Sequence, residues 1–373
     1  MRSTRTTRLT ALLAGGALAL TACGGGDDEA EGSSSPAESG SGEASASASA
    51  SASGESSEGS GGADGSDIQV GLAYDVGGRG DQSFNDSAAT GLDRAVEEFG
   101  VETRELSPSG DGTDRGDNLR LLAENDFDLV IAVGFAYAED IAEIAPEFPD
   151  VQFALIDSVD ATGDNVANLV FAEQEGSFLV GAAAALESEA GNVGFVGGVE
   201  TPLIQKFQAG YEAGVAEVAP DTQVQVTYLS QPPDFAGFQS PDLGEQAATG
   251  MYDAGADVVF HAAGGSGGGV FQAAADAGAS AIGVDSDQAL TADPSVQDTI
   301  ITSMIKRVDV AVFDFIESAV SGDPLSGEQV YDLEREGVGY STTGDRLSEE
   351  TITRLEELQQ QIVAGEIEVP DTV

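Results

Sequence analysis

Short apolar segments alternate with amphipathic segments along the chain from residue 68 onward. The apolar segments predict strands at 68–74, 101–106, 129–133, 152–156 and 166–171. Helical patterns lie between them, at 87–99, 113–124 and 136–145. This alternation is typical of a parallel sheet covered by helices on both faces.

The same alternation restarts after an alanine-rich helical segment, 174–189. Strands are predicted at 192–198, 224–229, 258–262, 282–284 and 299–305, with helices at 202–218, 244–254 and 268–277. The remaining tail contains a helix to about 320, a strand near 338–341 and a helix at 348–364. This tail is too small for a third domain, so we expect it to return to the first. The prediction is an N-terminal lobe of residues 67–173 plus about 306–373 and a C-terminal lobe of residues 174–305, with a hinge and a cleft between them.

The first 22 residues have the pattern of a secretory signal. Arg2, Arg5 and Arg8 precede an apolar run at 9–20, which is short for a membrane span. The sequence Leu20-Thr21-Ala22-Cys23-Gly24 resembles the lipobox of bacterial lipoproteins, and Cys23 is the single cysteine of the chain. The resemblance implies a lipidated Cys23 that anchors the protein to the membrane. The alternative is an ordinary signal with an incidental cysteine.

Residues 23–66 consist mainly of Ser, Ala, Gly and acidic residues. A segment of this composition cannot bury enough apolar surface to fold, so a disordered leash is predicted. A flexible coil of this length has an r.m.s. span of roughly 35 Å. The folded lobes can therefore stand away from the membrane.

The formal net charge is −52, from 66 acidic and 14 basic residues. Such a surface repels nucleic acid and disfavours phosphorylated ligands. The acidity serves solubility or, as a second interpretation, suits a high-salt exterior. One cysteine excludes a disulfide within the chain, and a single histidine, His261, argues against a zinc site. No cofactor and no metal are expected.

The segment 75–85 connects the first predicted strand to the first predicted helix. Ligands of open α/β sheets bind at such strand-to-helix loops. Glycines at 77, 78 and 80 let the backbone bend and approach a ligand closely. Phe84 lies among polar residues, so it is either an aromatic lid over a flat ligand or an anchor under the next helix.

Further candidates follow the strands of the second half. Gly264 begins a glycine-rich segment that opens a helix, where backbone N–H groups can approach a ligand, but it lacks the P-loop ending and equally fits a flexible turn. Asp285 ends a strand and could accept both hydrogens of a vicinal diol, although one of Asp285 and Asp287 could instead cap the next helix. Lys306 ends another strand and is either a ligand-side donor or a surface lysine.

Phe207 lies on the predicted helix 202–218. It forms an i, i+4 row with Leu203, Tyr211 and Val215, and this pattern alone favours core packing over ligand contact. His261 follows apolar residues at a strand end, where a single histidine is more often structural.

Several of these stretches together resemble the basic-membrane-protein (BMP) family of substrate-binding lipoproteins, whose best-known members bind purine nucleosides for an ABC transporter. The matching stretches are Asp75 with 81–85, 171–181, 192–198, Phe207 with Gly210 and Tyr211, and 282–288. The resemblance implies a type I periplasmic-binding-protein fold, an α/β architecture of two Rossmann-like domains that close over a ligand by hinge motion.

The resemblance also assigns roles by position. It implies that Phe84 and Phe207 clamp the purine ring, which replaces the packing interpretation of Phe207. The base-side contacts would be Asp157 and Asn85, the ribose-side contacts Asp285, Gly264 and Lys306, and Asp75 would line the cleft. Arg79 departs from the family pattern within the first loop.

The function implied is a monomeric, lipid-anchored extracytoplasmic receptor that presents a nucleoside to an ABC permease and its ATPase. It would not be an enzyme. Three alternatives remain open: the same fold binding a sugar or a riboflavin-like molecule, a sensory lipoprotein, and a hydrolase acting on nucleosides.

Overall fold

The computed structural model describes residues 64–373. The predicted signal peptide, Cys23 and nearly all of the predicted leash lie outside the described residues. In the described part of the chain, no helix has both the length and the apolarity needed to cross a bilayer.

Strands and helices alternate as the sequence pattern predicts. The strands are β1 (Gln69–Ala73), β2 (Glu102–Leu106), β3 (Leu129–Ala132), β4 (Gln152–Ile156), β5 (Val166–Phe171), β6 (Asn192–Val199), β7 (Gln223–Ser230), β8 (Val258–Ala262), β9 (Ser280–Asp285), β10 (Ile300–Lys306), β11 (Gly327–Tyr331) and β12 (Val338–Tyr340). The helices are α1 (Phe84–Phe99), α2 (Arg115–Ala123), α3 (Ala138–Ile144), α4 (Glu173–Glu187), α5 (Pro202–Val218), α6 (Pro241–Asp253), α7 (Gly267–Ala277), α8 (Gln288–Thr291), α9 (Val308–Val320) and α10 (Glu349–Val363).

The strands form two six-stranded sheets with equivalent strand orders. The first sheet has the order β11-β5-β4-β3-β1-β2 and the second β12-β10-β9-β8-β6-β7. All pairs are parallel except β10 with β12, which is antiparallel. Strands covered on both faces must be apolar throughout, and β3 accordingly has the sequence Leu-Val-Ile-Ala with every residue buried.

The chain passes between the lobes three times, between β5 and α4, between β10 and α9, and between β11 and β12. The crossing segments are joined by hydrogen bonds. The backbone N–H of Ala172 donates to the carbonyl of Tyr331 at 3.0 Å, and that of Arg307 donates to the carbonyl of Gly337 at 2.9 Å. The hinge region is therefore a set of adjacent, mutually bonded segments.

The structure differs from the expectation that residues 306–373 all complete the first lobe. Helix α9 packs on α1 and β11 joins the first sheet, but β12 pairs with β10 in the second sheet. Helix α10 lies against α4, where Thr351 donates to the carboxylate of Glu187 at 2.5 Å. The missed element is β11, an edge strand that exposes most of its residues to solvent and therefore lacks an apolar run.

Helices α4 and α5 approach each other closely because glycines lie at their contact. A Cβ atom added at Gly214 would lie 2.0 Å from the carbonyl oxygen of Phe178, and one at Gly210 would lie 2.1 Å from that of Gln174. These neighbours are backbone atoms and cannot move aside. The packing of the second lobe therefore depends on glycine at these two positions, since any side chain there would overlap the backbone of α4.

We expect Gly214→Ala to lower the free energy of unfolding by about 2 kcal/mol or more, because overpacked contacts typically cost about 1–3 kcal/mol. Gly250→Ala is the matched control, since Gly250 also lies inside a helix but has no atom within 4 Å of an added Cβ. That variant should gain roughly 0.5–1 kcal/mol from helix propensity. Urea unfolding of both variants measures the difference, and equal effects would contradict the close approach of α4 and α5.

His261 is buried on β8. Its Nε2 atom lies 3.1 Å from Oε1 of Gln288, and its ring packs edge-on against Phe271. Burial lowers the pKa of His261 to about 4, although the hydrogen bond with Gln288 acts in the opposite direction. The histidine is therefore neutral in the folded protein at neutral pH.

Between pH values of about 6.5 and 4, the unfolded chain binds a proton at His261 that the folded chain does not bind. Stability is therefore lost as the pH falls through this window, and His261 should contribute roughly 2–3 kcal/mol of the loss at about pH 4.5. Urea unfolding at about pH 7.5 and about pH 4.5 should show that His261→Gln loses that much less stability than the wild type. A variant that loses as much as the wild type would refute this role.

Candidate functional site

A cavity between the two lobes brings together all eight residues predicted to contact a ligand. About 570 Å³ of space, including the mouth open to solvent, lies between its lining atoms. The predicted residues on its wall are Asp75, Phe84, Asn85, Asp157, Phe207, Gly264, Asp285 and Lys306.

The carboxyl ends of the strands supply much of this wall. Asp157 follows β4, and Asp285 ends β9, the equivalent strand of the second sheet. Both aspartates have left-handed backbone conformations, with φ of 70° and 65° respectively. Such conformations are unfavourable for residues other than glycine and tend to cluster at functional sites.

Lys306 lies at the centre of a buried group of charges. Its Nζ atom is 2.6 Å from Oδ2 of Asp157 and 3.3 Å from Oε1 of Glu173, and at most 4% of each of these three side chains is exposed. The ammonium group also lies 5.0 Å from the ring centre of Phe84 and 5.6 Å from that of Phe207. The ion pair between Asp157 and Lys306 therefore joins a residue assigned to the base with one assigned to the ribose. It lies next to both predicted clamp rings.

Burial and charge act against each other in this group. Burial raises the pKa of Asp157, and the ammonium of Lys306 opposes this shift. Burial also raises the pKa of Asp285. For Lys306, burial alone would lower the pKa, but the three surrounding carboxylates outweigh it and raise the pKa. One ammonium group thus faces three carboxyl groups, those of Asp157, Glu173 and Asp285.

The first loop is ordered by Asp81, which also lines the cavity. Its carboxylate accepts hydrogen bonds from the backbone N–H groups of Ser83, Asn85 and Asp86, at 2.9–3.1 Å. These bonds satisfy free N–H groups of the first turn of α1. Burial raises the pKa of Asp81 to about 6.

Helix α1 begins at Phe84, three residues before the start predicted from the sequence, because the carboxylate of Asp81 binds these backbone N–H groups.

Asn85 lines the cavity, but its amide group serves the loop. Its Oδ1 atom accepts from the backbone N–H of Asp75 at 3.0 Å. Its Nδ2 atom donates to Asp81 at 3.0 Å and to the carbonyl of Val76 at 3.4 Å. Asn85 therefore has little remaining capacity for hydrogen bonds in this structure.

Asp75 is paired with Arg115, which the sequence did not indicate as a site residue. The two side chains are almost fully buried, and an arginine nitrogen lies 2.7 Å from Oδ1 of Asp75. The guanidinium also lies 5.4 Å from the ring centre of Phe235, in the second lobe. Burial raises the pKa of Asp75, and Arg115 opposes this shift. Arg79 does not line the cavity, because it pairs with Asp93 and Glu105 at the surface.

Hydrogen bonds between the lobes hold the cleft closed. Ser83 donates to Asp285 at 2.5 Å, and Gln288 donates to the carbonyl of Gln82 at 2.9 Å. A third bond, from Gln239 to the carbonyl of Gly110, also measures 2.9 Å. The start of α1, where Phe84 lies, is thus in direct contact with the end of β9, where Asp285 lies.

Two aromatic residues of the wall, Phe135 and Phe238, were not predicted. Phe238 comes from the loop rich in Pro and Gly between β7 and α6. It lies against Gly264, since a Cβ atom added at Gly264 would be 3.1 Å from the carbonyl oxygen of Phe238. Gly264 has a φ of 53°, so its backbone has the bend expected of a glycine turn.

Two kinds of observation bear on what the site could hold. The Oδ1 atom of Asp157 is buried and has no hydrogen-bond partner among residues 64–373. Such an atom is costly unless a ligand or water supplies a donor. Across the same residues, no group of three or more His, Cys, Asp or Glu side chains is placed to hold a metal ion.

Comparisons with known proteins agree on one family. The family described as "ABC transporter substrate-binding protein PnrA-like" matches residues 68–373. The chain is 38% identical to the CD4+ T-cell-stimulating antigen of Listeria monocytogenes over 322 residues, which cover 82% of this chain and 88% of the relative. It is 36% identical to an uncharacterized lipoprotein of Pyrococcus abyssi over 287 residues, which cover 73% of this chain and 69% of the relative.

A third relative is the ABC transporter nucleoside-binding protein BmpA of Lactococcus lactis, 29% identical over 331 residues that cover 84% of this chain and 92% of the relative. Among solved structures, a solute-binding protein of an ABC transporter system from Aeropyrum pernix has a TM-score of 0.72 and 32% identity, covering 81% of this chain and 94% of that one. Together with the two mainly parallel sheets, these similarities confirm the type I periplasmic-binding-protein fold. The chain belongs to the Bmp family of PnrA-like ABC transporter substrate-binding proteins.

Proposed function

We propose that this protein is a lipid-anchored extracytoplasmic receptor that binds a purine nucleoside and delivers it to an ABC permease. One observation carries the proposal: each lobe places a phenylalanine, Phe84 or Phe207, on the same closed cavity, next to an unpartnered buried oxygen of Asp157. Aromatic rings from the two lobes can stack against a planar base. A donor on the ligand would satisfy the buried acceptor of Asp157.

Stacking provides a large part of the expected affinity. A base stacked on an aromatic side chain contributes about 1–3 kcal/mol. Phe84 is held at the cavity by the hydrogen bonds that Asp81 makes to the first turn of α1. Phe207 is almost fully buried on α5. Because the backbone of both residues is held in a helix, little main-chain freedom is lost when a planar ligand binds.

Polar groups of the wall match a nucleoside. Asp157 offers Oδ1 to an N–H group of the ligand, while its Oδ2 atom is engaged by Lys306. Asp285 ends β9 and can accept the hydroxyl hydrogens of a ribose, in competition with its bond from Ser83. Hydrogen bonds that involve a charged group contribute roughly 1.5–3 kcal/mol each.

The charges of the wall favour a neutral ligand over a phosphorylated one. Asp75, Asp81, Asp157 and Asp285 line the cavity, and the ammonium of Lys306 is engaged by carboxylates. A phosphate would therefore enter a site of negative potential without a free cation to pair with. This argument supports a nucleoside rather than a nucleotide.

The membrane anchor and the partners are proposed from sequence and similarity. The lipobox at Cys23 lies outside the described residues, and a relative is named as a lipoprotein. The family consists of ABC transporter substrate-binding proteins, and a relative carries the name of a nucleoside-binding protein. We infer delivery to a permease driven by an ATPase, by a monomer without enzymatic activity.

A thermal-shift and calorimetry panel tests this function. We expect inosine, guanosine or adenosine to bind, and a nucleoside at 100 times its Kd should add about 2.7 kcal/mol of stability. Ribose, riboflavin and nucleoside monophosphates should produce much smaller shifts. Binding of ribose or riboflavin alone would contradict the nucleoside assignment, and release of free base from inosine would identify a hydrolase.

The aromatic clamp can be tested separately. Phe84→Ala should weaken binding of the preferred nucleoside roughly 5- to 150-fold, because a stacking contribution of about 1–3 kcal/mol is lost. Phe148→Ala is the matched control, since Phe148 is also a partly buried phenylalanine of the first lobe but does not line the cavity. Calorimetric titration of both variants should show a loss of affinity for the first only, and an equal loss in both would exclude a clamp at Phe84.

A further inference from the structure

The only two lysines of the 373-residue chain meet at one glutamate. The Nζ atom of Lys306 lies 3.3 Å from Oε1 of Glu173, and that of Lys206 lies 3.5 Å from Oε2. Only 1% of the Glu173 side chain is exposed. Glu173 does not line the cavity itself, but it contacts the lysine that does.

Two of the three residues lie where the chain passes between the lobes. Glu173 is the first residue of α4, directly after the crossing from β5, and Lys306 is the last residue of β10, directly before the next crossing. Lys206 belongs to α5, which packs on α4. The ion pair between Glu173 and Lys306 therefore joins two of the crossing segments.

Charge balance explains why both lysines are needed. A buried carboxylate without a cation is strongly unfavourable, and removing one partner of a buried pair leaves an uncompensated charge. Lys306 also faces Asp157 and Asp285, so it cannot compensate Glu173 alone. Lys206, about one third exposed, reaches the second oxygen of Glu173 from the solvent side. Two lysine ammonium groups thus contact Glu173, one at each carboxyl oxygen.

We propose that Glu173 is a positioning residue for ligand binding: with Lys206 on its solvent side, it holds the Lys306 ammonium against Asp157 and next to the rings of Phe84 and Phe207. This role deepens the proposed function, because it concerns the residues expected to contact the nucleoside. Without Glu173, the lysine has partners only on the cavity side and can move toward the space that the base should occupy.

The charge of Glu173 also affects the titration of the site. Its carboxylate is one of the groups that raise the pKa of Asp157, together with burial, while Lys306 opposes them. The carboxylate of Asp285 also raises the pKa of Asp157, in the same direction as Glu173. If Asp157 accepts a ligand hydrogen as a carboxylate, nucleoside affinity falls as the pH drops through the pKa of Asp157. Neutralising Glu173 removes one group that raises this pKa and releases Lys306, which lowers it, so the midpoint should differ from that of the wild type.

The experiment uses Glu173→Gln in the full-length chain. Glu175→Gln is the matched control, because Glu175 lies in the same turn of α4 and accepts a hydrogen bond from the backbone N–H of Leu333, away from the cavity. With lysine labelled with ¹³C, the NMR spectrum contains signals from only two residues. The Lys306 signals should show ring-current shifts, since the Nζ atom lies 5.0–5.6 Å from the centres of three phenylalanine rings.

We expect Glu173→Gln to change the ring-current shifts of Lys306 and Glu175→Gln to leave them unchanged. In calorimetry, Glu173→Gln should weaken inosine binding about tenfold at neutral pH, the loss of about one charged contact. The pH midpoint of its affinity should differ from that of the wild type. If Glu173→Gln fails to fold, Lys206→Gln provides the second variant, and it should change the same signals in the same direction to a smaller extent.

The two arms separate the inference from the proposed function. If the wild type binds no inosine, guanosine or adenosine, the nucleoside function is wrong, and the lysine spectra alone decide whether Glu173 positions Lys306. Unchanged Lys306 signals in Glu173→Gln overturn the positioning role. Changed signals with wild-type affinity and an unshifted pH midpoint overturn the role in ligand binding.

Discussion

A single buried ammonium group connects the fold, the hinge region and the site of this protein. Lys306 is almost fully buried, and a buried cation is tolerated only when carboxylates compensate it. Its partners come from different parts of the molecule: Asp157 from the first lobe, Glu173 from a crossing segment, and Asp285, which faces it from the second lobe. This one side chain therefore contributes to the relative placement of the lobes, together with the hydrogen bonds between them, and to the environment of both clamp rings.

The two lobes are built on equivalent strand orders, and the cavity retains part of that equivalence. Asp157 and Asp285 lie at the ends of equivalent strands, both with left-handed backbones. The next pair of equivalent strands, β5 and β10, ends in Phe171 on one side and Lys306 on the other, and these two residues lie in contact. The ends of β4 and β9 thus carry one carboxylate each, but of β5 and β10 only β10 ends in an ammonium group. Asp75 and Asp81, both from the first lobe, make the wall still less symmetric.

Local patterns predicted most of the architecture. Strands β4, β5 and β8 and helix α5 have the bounds expected from the sequence, because their apolar residues are buried in regular positions. The edge strand β11 was not predicted because it is polar and exposed. Without it, the return of the tail to the second lobe at β12 was not predicted either. The eight candidate ligand residues share one cavity, but the pairing of Asp75 with Arg115 joins residues 40 positions apart, and that of Glu173 with Lys306 spans a longer separation. No local pattern encodes such pairs, since they depend on how the strand ends meet after folding.

The central claim is that a nucleoside base lies between the lobes, against a ring from each. The most direct test is a crystal structure of the protein grown with inosine. We expect the base to lie against the rings of Phe84 and Phe207, with a donor of the ligand within hydrogen-bond distance of Oδ1 of Asp157. Inosine bound outside this cavity, or bound inside it with the base in contact with neither ring, would contradict the account.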